Sequence, residues 1–145
     1  MATRARTQTD VANRLRPALL KLARELRRES HALGVTGGQV TLLIQIRRNR
    51  GIGVNELAAQ ERISPAAMSK HVVRLEKAGL VERTPHATDR RRQGLSLTDE
   101  AERVLRSVKS RRTAWLASRL ERLGPDELAA LDDAVEPLLA LLEDE

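Results

Sequence analysis

The chain has 145 residues, enough for one domain with a substantial hydrophobic core. Lysine and arginine number 26 against 20 acidic residues, and the net charge of +6 suits a polyanionic partner. The absence of cysteine excludes disulfides and thiol-based oxidant sensing. No apolar run reaches membrane-spanning length and no signal peptide is apparent, so we expect a cytoplasmic protein without membrane attachment.

The positive charge is unevenly distributed along the chain. Residues 1–60 contain 11 basic against 4 acidic residues, and residues 61–112 contain 13 against 7. Residues 113–145 contain only 2 basic residues against 9 acidic ones. A basic architectural protein would be expected to carry its charge uniformly. The pattern instead favours a molecule that meets DNA with one part and faces itself or solvent with another.

The N-terminal part predicts two helices after a polar lead that extends to about Thr9. Asp10 is the expected cap of the first helix, and Pro17 is expected to kink it or delay its regular start. Thr36 is the expected cap of a second helix, from Gln39 to about Asn49, and residues 52–54 could then form a short strand. The apolar stripe of the first helix consists of Val11, Leu15, Leu19, Leu22 and Leu26.

The stretch from Val54 to Gly79 predicts two short helices joined by a tight connection. The first helix is expected over 54–62, where apolar residues recur with helical spacing. Ser64 is a good N-cap, and Pro65 suits the first helical position because its missing N–H would have no partner there. The second helix should run to about Ala78 and end at Gly79. This arrangement is a helix-turn-helix.

One face of the second helix is suited to reading a DNA major groove. Small or hydrogen-bonding residues lie near its N-terminus, and cations follow where phosphates would flank the groove. The alternative is an ordinary helical hairpin whose polar face is merely solvated. The residues of this face are Ala66, Ser69, Lys70, Val73, Arg74 and Lys77.

A β-hairpin is predicted directly after the helix pair. Residues 80–84 and 93–98 are expected to form its strands, and residues 85–92 its tip. The tip contains Arg90, Arg91 and Arg92, and His86 could add a fourth cation when protonated. Asp89 is expected to pair with one arginine and fix the shape of the tip. We interpret this hairpin as a wing that reaches phosphates or a minor groove, and the alternative is a solvated loop.

The sequence of the helix pair and the hairpin resembles the MarR (multiple antibiotic resistance regulator) family. The segment SPAAMSKHVVRLEKAGLVER followed by DRRRQGLSLT carries the resemblance, with Asp89-Arg90-Arg91 as its most specific part. It extends to the flanking helices and so covers nearly the whole chain. The family often has a glycine in the motif Thr-x-x-Gly, where this chain has Ala101 after Thr98. Some members sense oxidants through cysteine, and this chain has none.

Two further helices are predicted after the wing. Thr98 is the expected cap of a long helix that ends near Leu123, and Gly124-Pro125 precedes a last helix from Asp126 to about Leu142. The last helix contains Pro137, which should bend it, and more leucine than a solvated terminal helix needs. Burial against the first helix or against a second copy would account for this excess. The resemblance implies interleaved terminal helices in a homodimer, and the alternative is burial within a monomer.

Sequence features of catalysis, metal binding or cofactor binding are absent. The three histidines lie on separate predicted elements without metal-site spacing, and no phosphate loop or nucleophile motif occurs. The resemblance implies a small-molecule effector that releases DNA, but Trp115 is the only aromatic residue. Trp115 is expected in the core. A weak effector response, or one to aliphatic or bulky apolar ligands, is therefore expected, and titrating salicylate-like acids against Trp115 fluorescence would test it.

The sequence therefore predicts a mainly α (α+β) fold, a winged helix-turn-helix with N- and C-terminal dimerisation helices. A single domain is expected, with dimerisation helices at about 1–35 and 99–145 and a DNA-binding lobe at about 36–98. The expected function is sequence-specific binding of double-stranded DNA as a homodimeric transcriptional regulator, a repressor at a pseudo-palindromic operator. The alternatives are a sequence-tolerant DNA-coating protein and a protein-interaction module. The expected DNA-binding residues are Ser64, Pro65, Ala66, Ser69, Lys70, Arg74, Arg83, His86, Asp89, Arg90, Arg91 and Arg92.

Overall fold

A computed structural model describes residues 5–143, so the first four residues of the expected polar lead lie outside the described part. The fold is mainly helical with one small antiparallel sheet, as the sequence predicts. The helices are α1 Gln8–Arg28, α2 Gly37–Arg48, α3 Val54–Glu61, α4 Pro65–Lys77, α5 Asp99–Leu120 and α6 Pro125–Ala140, with a 3-10 turn at His31–Leu33. The strands are β1 Val81–Pro85 and β2 Gln93–Leu97. None of the helices in the described range is both long and apolar enough to cross a membrane.

The chain divides into two compact units, Met1–Arg112 and Thr113–Glu145. The hydrophobic core lies in the first unit, where α2, α3, α4, the hairpin and the first part of α5 contribute buried side chains. Its largest fully buried residues are Leu43, Ile46, Leu57, Met68, Leu75, Leu95, Val40, Val72 and Val108. The second unit consists of the end of α5 and α6.

The helix-turn-helix forms as the sequence predicts. The Ser64 hydroxyl accepts a hydrogen bond from the Ala67 amide at 3.1 Å, and Pro65 occupies the first turn of α4. The buried face of α4 consists of Met68, Val72 and Leu75, and α4 packs against α3 and β1. This packing leaves the opposite face of α4 in solvent.

Both helices of the pair end in a left-handed residue. After α4, Gly79 has φ +73°, and the Leu80 amide donates to the Leu75 carbonyl at 2.9 Å. After α3, Arg62 has φ +56°, and the Ile63 amide donates to the Ala58 carbonyl at 3.1 Å. The two ends share the Schellman bonding pattern. Only the end of α4 has a glycine, which adopts a left-handed conformation without strain, whereas Arg62 is strained there.

Exchanging the residue type at these two ends should change stability with opposite signs. Gly79→Ala is expected to lower the free energy of unfolding by about 1 kcal/mol, because a side chain is strained at this φ. No atom lies within 4 Å of the added Cβ, so the cost is conformational. Arg62→Gly should raise the free energy of unfolding by up to about 1 kcal/mol through relief of the same strain. Urea unfolding followed by circular dichroism measures both, and equal losses in the two variants would contradict the expectation.

The hairpin is held to the rest of its unit through Gly51 and Ile52. The Gly51 amide donates to the Leu95 carbonyl at 2.8 Å, and the Leu95 amide donates to the Ile52 carbonyl at 2.9 Å. A Cβ on Gly94 would lie 2.3 Å from the Gly51 carbonyl oxygen, so only glycine allows this approach. The expected strand at 52–54 is a single bridge between Ile52 and Leu95, because α3 begins at Val54.

The first helix begins earlier than the sequence analysis expects. Thr7, not Asp10, is the N-cap: its hydroxyl accepts from the Asp10 amide at 3.2 Å, while the Asp10 carboxylate accepts from the Thr7 amide at 3.0 Å. Asp10 is therefore the third residue of a capping box. Pro17 lies within α1, which continues to Arg28.

The end of α1 is fixed by two arginines of α5. Arg111 Nε donates to the Glu29 carbonyl and Arg112 Nε to the Leu26 carbonyl, both at 3.1 Å. These bonds satisfy backbone carbonyls that a helix end leaves without partners. Burial lowers the pKa of Arg112, with a smaller contribution from the positive charge of Arg27.

The C-terminal helices end close to the expected positions. The Thr98 hydroxyl accepts from the Ala101 amide at 3.2 Å, which confirms Thr98 as the cap of α5. The alanine at position 101 is fully buried. α5 ends at Leu120, and α6 contains Pro137 without interruption of the helix. No side chain of α6 is buried among the described residues.

Candidate nucleic-acid interface

The exposed face of α4 presents hydrogen-bonding and cationic side chains in the predicted order. Ser69, Lys70 and Arg74 are exposed, and none of the three side chains makes a hydrogen bond or ion pair within residues 5–143. Ala66 and Pro65, at the N-terminal end, are also exposed and small enough to let a backbone approach closely. The face is therefore free to meet a partner, and its shape suits a major groove.

Ser64 and Arg83, both predicted contact residues, also have intramolecular roles. The Ser64 hydroxyl caps the N-terminus of α4 by accepting the hydrogen bond from the Ala67 amide. Arg83, on β1, donates through Nε and Nη2 to the Glu76 carboxylate of α4, at 3.1 and 2.7 Å. Arg83 thus ties the hairpin to α4, and its charge is largely offset by Glu76.

The tip of the hairpin presents two arginines outward. Arg90 and Arg91 are exposed and have no ion-pair partner within the described chain. Asp89 organises the tip through the backbone: its carboxylate accepts from the Arg91 amide and its carbonyl from the Arg92 amide. The expectation that Asp89 pairs with an arginine side chain is therefore wrong, and the carboxylate forms an Asx-type turn instead.

His86 has a structural role, because its ring turns inward and is not presented at the surface of the tip. Its side chain is only 5% exposed. The ring nitrogen Nδ1 accepts hydrogen bonds from the amides of Thr88 and Asp89, at 3.2 and 3.1 Å. Because Nδ1 acts as an acceptor, we assign the proton to Nε2, which donates to the carboxylate of Glu56 on α3. The sequence pattern could not reveal this inward orientation.

Glu56 and Arg92 form one cluster with His86. Arg92 Nη1 lies 3.7 Å from Glu56 Oε1, so the third arginine of the tip turns back toward α3. The hydrogen bond from His86 lowers the pKa of the Glu56 carboxyl, with smaller contributions from the positive charge of Arg92 and from the Gly53 amide. Burial opposes this shift. The carboxylate therefore remains ionised as an acceptor.

Sequence reasoning missed two residues near the wing. Glu56 is separated from His86 by 30 residues and gives no local signal of this pairing. Arg50 lines the same groove as Thr84 and Arg90, beside the hairpin. Arg50 belongs to the basic run Arg47-Arg48-Asn49-Arg50 at the end of α2. Its position after Asn49, outside the helix, is the signal that could have identified it.

The site contains cations and hydrogen-bond donors and no arrangement of metal ligands. Within residues 5–143, no group of three or more histidines and acids could hold a metal ion. Exposed guanidinium and ammonium groups on α4 and on the hairpin can neutralise phosphates, and Ser69 and Lys70 can meet base edges. This chemistry is that of nucleic-acid binding.

Comparison with known proteins agrees with this geometry. The MarR family model matches residues 35–92. The HTH-type transcriptional repressor MdtR of Bacillus subtilis is 30% identical over 120 residues, which cover 83% of this chain and 77% of MdtR. The chain belongs to the MarR family. Like other MarR proteins, it is a DNA-binding transcriptional regulator with a winged helix fold.

Solved structures show the same MarR architecture. A candidate transcriptional regulator from Pseudomonas aeruginosa is 33% identical, with a TM-score of 0.82, and the match covers 97% of this chain and 100% of that one. A MepR variant from S. aureus, solved with a bound oligodeoxyribonucleotide, is 18% identical with a TM-score of 0.67 over 92% of this chain and 98% of that one. This second likeness supports the fold alone.

Proposed function

We propose that the protein is a sequence-specific repressor that binds a pseudo-palindromic operator as a homodimer. One observation carries this proposal. The exposed face of α4, where Ser69, Lys70 and Arg74 make no side-chain hydrogen bond or ion pair within residues 5–143, lies beside a hairpin whose tip presents two arginines outward. In the proposed complex α4 lies in the major groove, with Ser69, Lys70 and Arg74 toward bases and phosphates. Arg90 and Arg91 reach the backbone or the neighbouring minor groove.

The exposed apolar faces of the terminal helices support the homodimer. Val11, Leu19 and Leu22 of α1 are 41–47% exposed, although they are spaced as one apolar stripe. On α6, Leu128, Leu131, Val135 and Leu139 are 45–51% exposed. Contiguous apolar surface of this kind marks an interaction site. A two-fold dimer would place two recognition helices roughly 34–36 Å apart, which matches successive major grooves.

Repression, cytoplasmic location and release by an effector belong to the same proposal. MdtR, the relative at 30% identity, is a repressor by its name, and a dimer on a promoter would block transcription by occupancy. Trp115 is half-buried rather than in the core, and the Arg119 guanidinium lies 5.1 Å from the centre of its ring. The absence of other aromatic side chains continues to favour an apolar effector over a flat aromatic acid.

Binding-site selection from random duplexes tests the proposal. The selected site should contain an inverted repeat and bind at least about a thousandfold more tightly than bulk DNA at one fixed salt concentration. The acidic C-terminal segment, residues 113–145, argues against a protein that coats DNA uniformly. Equal affinity for selected and bulk DNA would identify that coating protein and overturn the repressor.

A further inference from the structure

The DNA-binding lobe contains an acidic residue beside its wing whose position needs an explanation. Glu56 lies in the first turn of α3, and its side chain is 46% exposed. A carboxylate near a polyanion repels phosphates and lowers affinity. From its charge alone, Glu56 would be expected to lower the affinity for DNA.

Its contacts indicate the opposite role. Glu56 Oε1 accepts a hydrogen bond from Nε2–H of the buried His86 ring. The same oxygen lies 3.7 Å from Arg92 Nη1. The other nitrogen of His86 accepts the amides of Thr88 and Asp89. The imidazole is thus a bridge between helix α3 and the backbone of the wing tip.

The rest of the tip has few other attachments to the lobe. The base of the hairpin is fixed by strand pairing, by the bonds of Leu95 to Gly51 and Ile52, and by the contacts of β1 with α4 and of β2 with α2. Beyond Pro85, the Ala87 amide donates to the Gly51 carbonyl at 3.0 Å, and the remaining backbone bonds of the tip are internal to it. The orientation of the tip relative to α3, and hence to α4, therefore depends strongly on the bond between Glu56 and His86.

We propose that Glu56 is a positioning residue for DNA binding, which holds the wing tip through His86 so that Arg90 and Arg91 meet DNA already oriented. The inference rests on the proposed function in that the wing is taken to contact DNA. A tip ordered in the free protein loses less conformational entropy on binding than a mobile one, so the clamp raises affinity. This gain exceeds the repulsion of one partly exposed, screened carboxylate.

Three variants separate positioning from charge. Glu56→Ala removes both the charge and the acceptor, whereas Glu56→Gln removes the charge and keeps an oxygen that accepts Nε2–H. Glu61→Ala is the matched control, because Glu61 lies on the same helix and makes no side-chain hydrogen bond or ion pair within residues 5–143. Affinity for the selected operator and for bulk DNA is measured for each variant, with hydrogen exchange of the Thr88 and Asp89 amides.

We expect Glu56→Ala to weaken binding to both DNAs by about tenfold and to speed exchange of the two amides. Glu56→Gln should bind DNA at least as tightly as the unmodified protein, and its Thr88 and Asp89 amides should exchange as slowly. Glu61→Ala should bind DNA slightly more tightly. The proposal is overturned if Glu56→Ala binds as tightly as Glu61→Ala, or if Glu56→Gln loses as much affinity as Glu56→Ala. If the unmodified protein prefers no sequence, the proposed repressor fails, while the bulk-DNA and exchange measurements still test the clamp.

Discussion

Replacing Leu131 and Val135 by aspartate together is expected to convert the protein from a dimer to a monomer. Both side chains lie on the apolar stripe of α6 and are about half exposed in the single chain. In the proposed dimer they are buried, and each unpaired carboxylate in an apolar interface would cost several kcal/mol even after relaxation. Sedimentation velocity across a range of concentrations measures the change.

The same variant is expected to bind the operator at least about a hundredfold more weakly. Two linked recognition helices bind the second half-site as an intramolecular step, and a monomer loses that advantage. Affinity for an isolated half-site should remain close to that of the unmodified protein, because the DNA-binding lobe lies in the other unit.

The matched control adds the same charge on the opposite face of α6. Ala129 and Ala130 are exposed and lie away from the apolar stripe, so their replacement by aspartate should leave the dimer intact. A monomeric control, or a Leu131→Asp/Val135→Asp variant that remains dimeric, would show that this stripe is not the dimer interface.

Local signals determined most of what the sequence predicted correctly. Ser64 and Pro65 mark the start of α4, and Gly79 marks its end, because caps and turns depend on neighbouring residues only. The same signals misled at Asp10, which accepts from Thr7 three residues earlier and so is not the cap. In a capping box the acidic side chain at the third helical position accepts from the cap amide, and an aspartate is also a good cap itself, so the residue type alone does not distinguish the two positions.

Long-range contacts could not be predicted from the sequence. His86 stands next to a cationic run, and nothing in that run indicates that its ring turns inward to a carboxylate 30 residues away. Arg83 is likewise engaged by Glu76, although its position beside the wing suggests a contact with DNA. The apolar stripe of α6 shows that the helix is amphipathic, but periodicity is the same for burial within a chain and between chains.

Replacing Arg91 and replacing Lys70 are expected to weaken DNA binding in different ways. Arg91→Ala removes an exposed guanidinium, while the backbone bond from its amide to Asp89 remains, so the tip keeps its shape. Affinity for the operator and for bulk DNA should fall by a similar factor, on the order of tenfold. Log affinity falls as log salt rises, and this fall should become shallower in the variant. The magnitude of the slope should decrease by about 0.9 for each phosphate that the protein no longer neutralises, or about 1.8 for a dimer.

Lys70→Ala should reduce the preference for the operator as well as the affinity. A side chain on the recognition face that meets a base edge contributes about 1–3 kcal/mol of discrimination, so operator binding should fall by at least about fivefold more than bulk binding. Arg106→Ala, which removes an exposed guanidinium from α5, is the control and should change both affinities little. Unchanged affinity in Arg91→Ala would remove the wing from the interface, and a uniform loss in Lys70→Ala would make Lys70 a phosphate contact. Specificity would then depend on Ser69, Arg74 and the shape of the DNA.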